Sequence, residues 1–241
     1  MTKSLVIIPT YNEKQTIERI VRAVFQLPMV FHVLVVDDNS PDGTGQLVQD
    51  LQKEFSDQLF LEVRKEKSGL GTAYIHGFKW ALQNQYDFIF EMDADFSHNP
   101  LDLMRLQEVC LQPNVDVVIG SRYISGVNVV NWPLSRVLMS YFASVYVRLI
   151  MGFKVHDATS GFICYRKRVL EHINLDKVKF VGYAFQIEMK YRAHVMGSQI
   201  VEIPIIFTDR TQGESKMSNA IISEAIFGVI SLRIKKIFRT L

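Results

Sequence analysis

Leu5-Val6-Ile7-Ile8-Pro9-Thr10-Tyr11-Asn12-Glu13 is a short β-branched run that stops abruptly in polar residues. Val33-Leu34-Val35-Val36-Asp37-Asp38 repeats the pattern. Between them Ile17, Ile20, Val21 and Val24 recur at helical spacing over Thr16–Phe25. Strand, helix, strand is the signature of a parallel pair joined by a crossover. The rhythm continues: Leu47 and Leu51 mark a second helix, Leu59–Val63 a third strand and Ala73–Leu82 a third helix. Phe88–Phe90 reads as a fourth strand, a helix starts near Pro100, and Val115–Ile119 is a fifth strand. This predicts an α/β fold, a mostly parallel sheet with helices on both faces. Such sheets bind ligands beyond the carboxyl ends of their strands, near a topological switch point. Polar residues stand at those ends: Thr10–Glu13, Asp37-Asp38, Asp93-Ala94-Asp95 and Ser121-Arg122.

The second half is less regular. An apolar helix is expected over about 134–151, then the turn-rich stretch His156–Gly161 and a short run Phe162–Tyr165. A helix around Ala184–Val195, the run Ile200–Phe207, a polar loop Thr208–Lys216 and a last helix from about Met217 to Phe238 follow. With 241 residues, 48% of them hydrophobic and 22% charged, the chain has ample material for one large core and is not a disordered chain. We divide it into a catalytic-type domain, 1–216, and a C-terminal amphipathic helix, 217–241. The two cysteines, Cys110 and Cys164, build no disulfide framework, and a reducing compartment is the simplest reading. The six histidines show no metal-finger spacing.

Charge is unevenly spread. Residues 1–120 hold 10 Lys+Arg against 17 Asp+Glu, and residues 121–241 hold 17 against 8. An acidic half joined to a basic half suits a site with a cation on one side and phosphates on the other; a basic surface near anionic lipid reads the same way.

Asp93-Ala94-Asp95 is the sharpest local feature. Carboxylates at i and i+2 face opposite sides of a strand and converge only where the strand has ended in a turn. There they suit a hard divalent cation that also holds phosphate oxygens, with Ser97 adding an oxygen directly or through water. A solvated acidic turn and a glycosidase carboxylate pair are the competing readings. Asp37-Asp38 ends the second strand, where a carboxylate can accept from a base or ribose; the turn Asn39-Ser40-Pro41-Asp42-Gly43 gives one of the two a structural role. Gly69-Leu70-Gly71 lacks Walker and GxGxxG spacing and reads as close packing at a helix start. The loop from Asp209 to Lys216 offers Arg210 and Lys216 to phosphate oxygens.

No signal peptide and no uninterrupted span of ~20 apolar residues is expected to cross a bilayer. Leu134–Met151 carries Arg136 and Arg148; Ala220–Leu232 carries Glu224 and is followed by Arg233, Lys235, Lys236 and Arg239. Both read as membrane-surface helices or as helices packed on the sheet.

Taken jointly, Ile7–Glu13, Val35–Thr44, Met92–Asp95 and Gly120–Tyr123 resemble family 2 inverting glycosyltransferases of the GT-A fold. Asn131-Trp132-Pro133 with Ser135-Arg136, Asp157–Phe162, Gly182–Met189, and Asp209-Arg210 with Gly213–Lys216 resemble dolichol-phosphate (polyprenol-phosphate) mannosyltransferases, in the short form without transmembrane helices. The resemblance implies a Rossmann-like sheet with amphipathic surface helices in the C-terminal half. It implies transfer of mannose from GDP-mannose to a polyprenyl phosphate with Mg2+ or Mn2+ bound. Pro9, Tyr11, Glu13, Val36 and Asp38 would form the nucleotide pocket. Asp93, Ala94 and Asp95 would meet the donor and metal, with Ser97 where the family often has a glutamine ligand. Arg122, Arg210 and Lys216 would approach the diphosphate, and Arg122, Arg136 and Ser140 the acceptor phosphate; Asp95, Arg122 and Arg136 would be catalytic. The implied location is the cytoplasmic face of a membrane, peripherally bound, directly or through an anchoring partner protein, with no nucleic-acid partner.

A phosphate monoester has a second pKa of about 6, so the acceptor is already largely dianionic and no general base is required. Competing readings are the same fold using UDP-glucose or another donor, a non-catalytic nucleotide-sugar or membrane-surface binding protein, and a nicotinamide dehydrogenase. The last is disfavoured because Pro9-Thr10-Tyr11-Asn12 has no glycine.

Overall fold

The computed structural model describes residues 2–209 and 228–236. Seven strands form the central sheet: β1 (Ser4–Thr10), β2 (His32–Asp37), β3 (Leu59–Val63), β4 (Phe88–Glu91), β5 (Val117–Ser121), β7 (Ile163–Arg166) and β8 (Ile200–Pro204). Their order is β3-β2-β1-β4-β7-β5-β8, and only β7 runs antiparallel to its neighbours. A second, two-stranded parallel ribbon joins β6 (Val129–Val130) to β9 (Phe207–Thr208). The helices are α1 (Ile17–Phe25), α2 (Thr44–Gln52), α3 (Leu70–Gln83), α4 (Asp102–Cys110), α5 (Leu134–Met151), α6 (Lys167–His172) and α7 (Tyr183–Val195).

The strand alternation shows why the runs are apolar throughout. Leu5 and Ile7 enter one core with Tyr74 and Phe78 of α3 and Phe185 and Met189 of α7. Val6 and Ile8 enter the other, with Ile20 and Val24 of α1, Val48 of α2 and Leu103 of α4. Both faces are covered, so no polar alternation survives. β1 has β2 on one side and β4 on the other, and this switch point opens the crevice at the carboxyl ends. Gly71 marks a close approach: a Cβ there would lie 2.7 Å from the Phe180 carbonyl oxygen and 2.8 Å from the Phe185 ring. The sequence did not reveal β6, α6, or the insertion of β7 between β4 and β5.

α5, an 18-residue helix that carries Arg136 and Arg148, is long and apolar enough to cross a bilayer by length and composition alone. Its far half packs on the body through Ser144, Val147 and Met151. Its outer face stays exposed, 71% at Leu134, 60% at Phe142 and 77% at Leu149. The helical residues 228–236 also rest on the body. Val229 and Leu232 are buried beside Met151 and Tyr191 in the same core, and Arg233 Nη1 donates to the Met151 carbonyl at 3.2 Å. Of the two alternatives for the last helix, its described part packs; Ile230 and Ile234 stay exposed. The rest of the expected helix, 217–227 and 237–241, lies outside the described residues.

Candidate active site

The crevice begins between β1 and β2, whose register sets Pro9 beside Val36 and Thr10 beside Asp37. Asp37 is consumed structurally: it accepts from Thr10 Oγ1 at 2.7 Å, Ser40 N–H at 2.9 Å and Ser40 Oγ at 2.6 Å. The turn it anchors then grips the first loop. Asn12 N–H donates to Ser40 Oγ, Glu13 N–H to Thr44 Oγ1 and Lys14 N–H to Asp42. Asn12 and Asn39, at φ 62° and 55°, occupy the left-handed region that asparagine tolerates. Asp38 is the second carboxylate, held by Arg64 at 2.5 Å; Arg64 also donates to Thr72 Oγ1 at 2.6 Å. Lys67 Nζ lies 4.2 Å from the Tyr11 ring centroid. Pro9, Tyr11, Glu13, Val36 and Asp38 thus share one end of the sheet. Arg64 and Lys67, after β3, were not singled out from the sequence.

β4 lies against β1, with Glu91 paired to Ile7, so Asp93 and Asp95 follow the strand end in a turn, as their spacing requires. The turn is tight: Phe96 sits at φ 61°, an uncommon place for a bulky side chain. Ser97 N–H donates to Asp95 Oδ1 at 3.0 Å, and the Ser97 carbonyl accepts from Thr208 N–H at 3.3 Å. Ser97 and Ala94 are buried in this turn. His98 lies behind the turn. Its Nδ1 accepts the Asp93 N–H at 3.2 Å, its ring stacks on Phe162 at 4.7 Å, and burial pushes its pKa down to about 4. The imidazole is therefore neutral, with its proton on Nε2. The sequence reading left His98 among the scattered histidines; its place three residues after Asp95 was the available signal. Among the described residues no group of three or more His, Cys, Asp or Glu forms a ready metal cluster. The donor set is two carboxylates, which fits a hard cation whose other positions are filled by substrate oxygens and water.

The opposite wall is basic and aromatic. Arg122 follows β5 and is clamped by Asp157: Nε donates at 2.7 Å, Nη2 at 2.7 Å and the backbone N–H at 2.9 Å. Arg122 Nη2 also donates to Thr159 Oγ1 at 2.8 Å. Asp157 is fully buried, which alone would raise its pKa; the charge and hydrogen bonds of Arg122 and the charge of Lys190 outweigh this and lower it. Arg136, in the first turn of α5, donates to both carboxylate oxygens of Asp209 at 2.8 and 2.9 Å. Both guanidiniums meet Trp132, Arg136 at 4.1 Å and Arg122 at 5.4 Å from the ring centroid. Phe207 of β9 links the walls, 5.3 Å from Trp132, 5.4 Å from His98 and 5.5 Å from the Arg122 guanidinium carbon. Ser140 stands one turn along α5, beside Tyr123. Trp132, Asp157 and Asp209 were visible only within motifs, and their pairing with the arginines was not foreseen. Arg210 and Lys216 lie outside the described residues, immediately beyond Asp209 or a few residues further.

The acidic turn after β4 and the arginines after β5 and in α5 stand at the carboxyl-end side of the sheet, and the comparisons with known proteins make the chain a glycosyltransferase. It belongs to Glycosyl transferase family 2, whose model matches residues 5–173. It is 46% identical over 227 residues, covering 94% of this chain and 85% of the relative, to polyprenol monophosphomannose synthase of Mycolicibacterium smegmatis. It is 44% identical over 225 residues, 93% of this chain and 91% of the relative, to undecaprenyl-phosphate mannosyltransferase of Micrococcus luteus. Solved structures share the GT-A fold. A mannosyltransferase from Pyrobaculum calidifontis in complex with GDP-Man and Mn2+ superposes with a TM-score of 0.63 at 18% identity, over 98% of this chain and 64% of that one. Glucosyl-3-phosphoglycerate synthase from Mycobacterium tuberculosis with Mn2+, UDP and phosphoglyceric acid gives 0.66 at 16%, over 98% and 78%.

Proposed function

We propose that this enzyme transfers mannose from GDP-mannose to a polyprenyl phosphate, with inversion, at a membrane surface. The curated relatives' names support the mannosyl and polyprenyl-phosphate parts. The observation that carries the reading is Arg122 and Arg136 gathered at one indole, 5.4 and 4.1 Å from the Trp132 ring centroid, at the foot of a helix whose outer face is apolar. A lipid-borne phosphate needs that combination: cations at headgroup level and an apolar surface beside them.

Asp93 and Asp95 would hold a divalent cation, Mg2+ or Mn2+, which when bound neutralises diphosphate charge as a Lewis acid. Pro9, Tyr11, Glu13, Val36 and Asp38 bind the nucleoside, and Ala94 lets the donor lie close to the turn. Arg122, Arg136 and Ser140 would receive the acceptor phosphate, and Arg122 would also approach the diphosphate, as would Arg210 and Lys216, which follow Asp209 in the chain. The acceptor oxygen attacks the sugar C1 as the C1–O bond to the diphosphate breaks and GDP leaves; a phosphate dianion needs no proton removed first. His98 is consistent with this: buried, neutral and occupied at Nδ1 by the Asp93 amide, it serves the turn rather than a nucleophile. The prealigned guanidiniums stabilise charge that shifts between two anions, which is preorganised electrostatic catalysis.

The test is turnover with a panel of labelled nucleotide sugars, polyprenyl phosphate and Mn2+. GDP-mannose is expected to be the best donor. Faster transfer from UDP-glucose would overturn the donor assignment and leave the family intact.

A further inference from the structure

Lys190, in the middle of α7, is a fully buried cation that the reaction described above does not use. All three ammonium protons have carbonyl acceptors: Ser160 at 2.6 Å, Ala158 at 3.0 Å and Gln186 at 3.3 Å. Ala158 and Ser160 flank Thr159 and follow Asp157, the two residues that clamp Arg122. Glu202 of β8 holds the same loop from its other end, accepting from the His156 and Asp157 amides at 2.7 and 2.9 Å. One turn earlier on α7, buried Gln186 donates through Nε2 to buried Glu91, two residues before Asp93. One helix face therefore touches both walls of the crevice.

We propose that Lys190 is a positioning residue for the transfer step: through the Ala158 and Ser160 carbonyls it sets the loop that aims Arg122, and through Gln186 on the same helix it ties that loop to the strand end carrying Asp93 and Asp95. Packing alone does not account for it. An apolar side chain would fill the volume without desolvating an ammonium. The charge has a use where it lies, because the carboxylates of Asp157 and Glu202, which hold this loop, lie in its field. Burial pulls the Lys190 pKa down to about 8, with the carboxylates Glu91 and Asp157 opposing it, so the charged form prevails at neutral pH.

The inference rests on the phosphate role proposed for Arg122, and a double-mutant cycle between Lys190→Met and Arg122→Lys tests it. Two readouts are taken: affinity for GDP with Mn2+, which needs no turnover, and kcat and KM for polyprenyl phosphate. Lys190→Met is expected to lower kcat roughly 10- to 100-fold when Arg122 is present but no more than about twofold in the Arg122→Lys background, the non-additivity of residues acting in one network. Lys190→Gln, which keeps a donor, recovers part of the loss, and it replaces Lys190→Met in the cycle if that variant does not fold. Equal losses in both backgrounds would make Lys190 a core residue only and overturn the proposal. A wild type inactive with GDP-mannose would overturn the functional reading instead, and the GDP affinity cycle would still decide the role of Lys190.

Discussion

The two walls of the crevice are built in opposite ways. On the acidic wall the key groups are fixed by near neighbours: Ser97 caps Asp95 two residues away, and His98 holds the amide of Asp93 five residues away. On the basic wall each cation is fixed by a distant carboxylate, Arg122 by Asp157 and Arg136 by Asp209, 35 and 73 residues along the chain. A local turn is set by a few residues and tolerates change elsewhere. A wall made of long-range pairs depends on the whole fold, and perturbing either partner is felt at both.

Removing the acidic wall should have the largest effect on chemistry and the smallest on stability. Asp95→Ala is expected to cut transfer by roughly 10³-fold or more, the scale of losing several kcal/mol of metal assistance. Its melting temperature should stay within a few degrees of wild type. Near-normal turnover in Mn2+ buffer would place the cation elsewhere.

The basic wall should behave the other way round. Asp157→Asn leaves the Arg122 guanidinium buried without its counter-charge and should destabilise the protein by about 3–5 kcal/mol in denaturant titrations. The pH dependence has a defined sign. The folded pKa of Asp157 lies below the ordinary 3.8, so the pair's contribution is complete above that value and is lost as pH falls through the folded value. The stability gap between wild type and Asp157→Asn should therefore be constant above about pH 5 and narrow only in strong acid. A gap that vanished near neutrality would contradict the ion-pair account.

Arg136 is less buried and also rests on Trp132, so its loss should be milder and directional. Arg136→Gln is expected to raise the KM for polyprenyl phosphate roughly tenfold, about the value of one charge-assisted contact, with the GDP-mannose KM little changed. Equal changes in both would move Arg136 to the donor side. The smallest effect belongs to the outer face of α5: Phe142→Glu should weaken sedimentation with anionic vesicles several-fold while turnover on a short-chain phosphate stays normal. Vesicle binding unchanged by this substitution would take the membrane contact away from α5.

The same contrast explains what could be read from the chain alone. The strands after which Asp38 and Asp93 appear are uniform apolar runs, and a carboxylate pair that follows such a run declares its turn by spacing. The sheet, and the position of Pro9 to Asp95 at the carboxyl ends of its strands, were accordingly legible. The partners of Arg122 and Arg136 were not, because nothing in a sequence marks a contact across 35 or 73 residues. β7 was read as a short run, but its antiparallel insertion beside β4 depends on pairing, which local pattern does not encode. His98 and Lys190 were missed for a related reason: a lone histidine and a lysine inside an ordinary helix carry no periodic signal, and their meaning lies in what they touch.

In the proposed reaction a phosphate oxygen, delivered on a lipid and held by Arg122 and Arg136, attacks the sugar directly. It is tested most directly by offering the enzyme GDP-mannose and Mn2+ with matched acceptors, a polyprenyl phosphate and the corresponding polyprenol, and reading the product and its anomeric configuration by NMR. The account predicts mannosyl phosphate only from the phosphorylated lipid, with the β configuration. Transfer to the free alcohol, or an α-linked product, would contradict it.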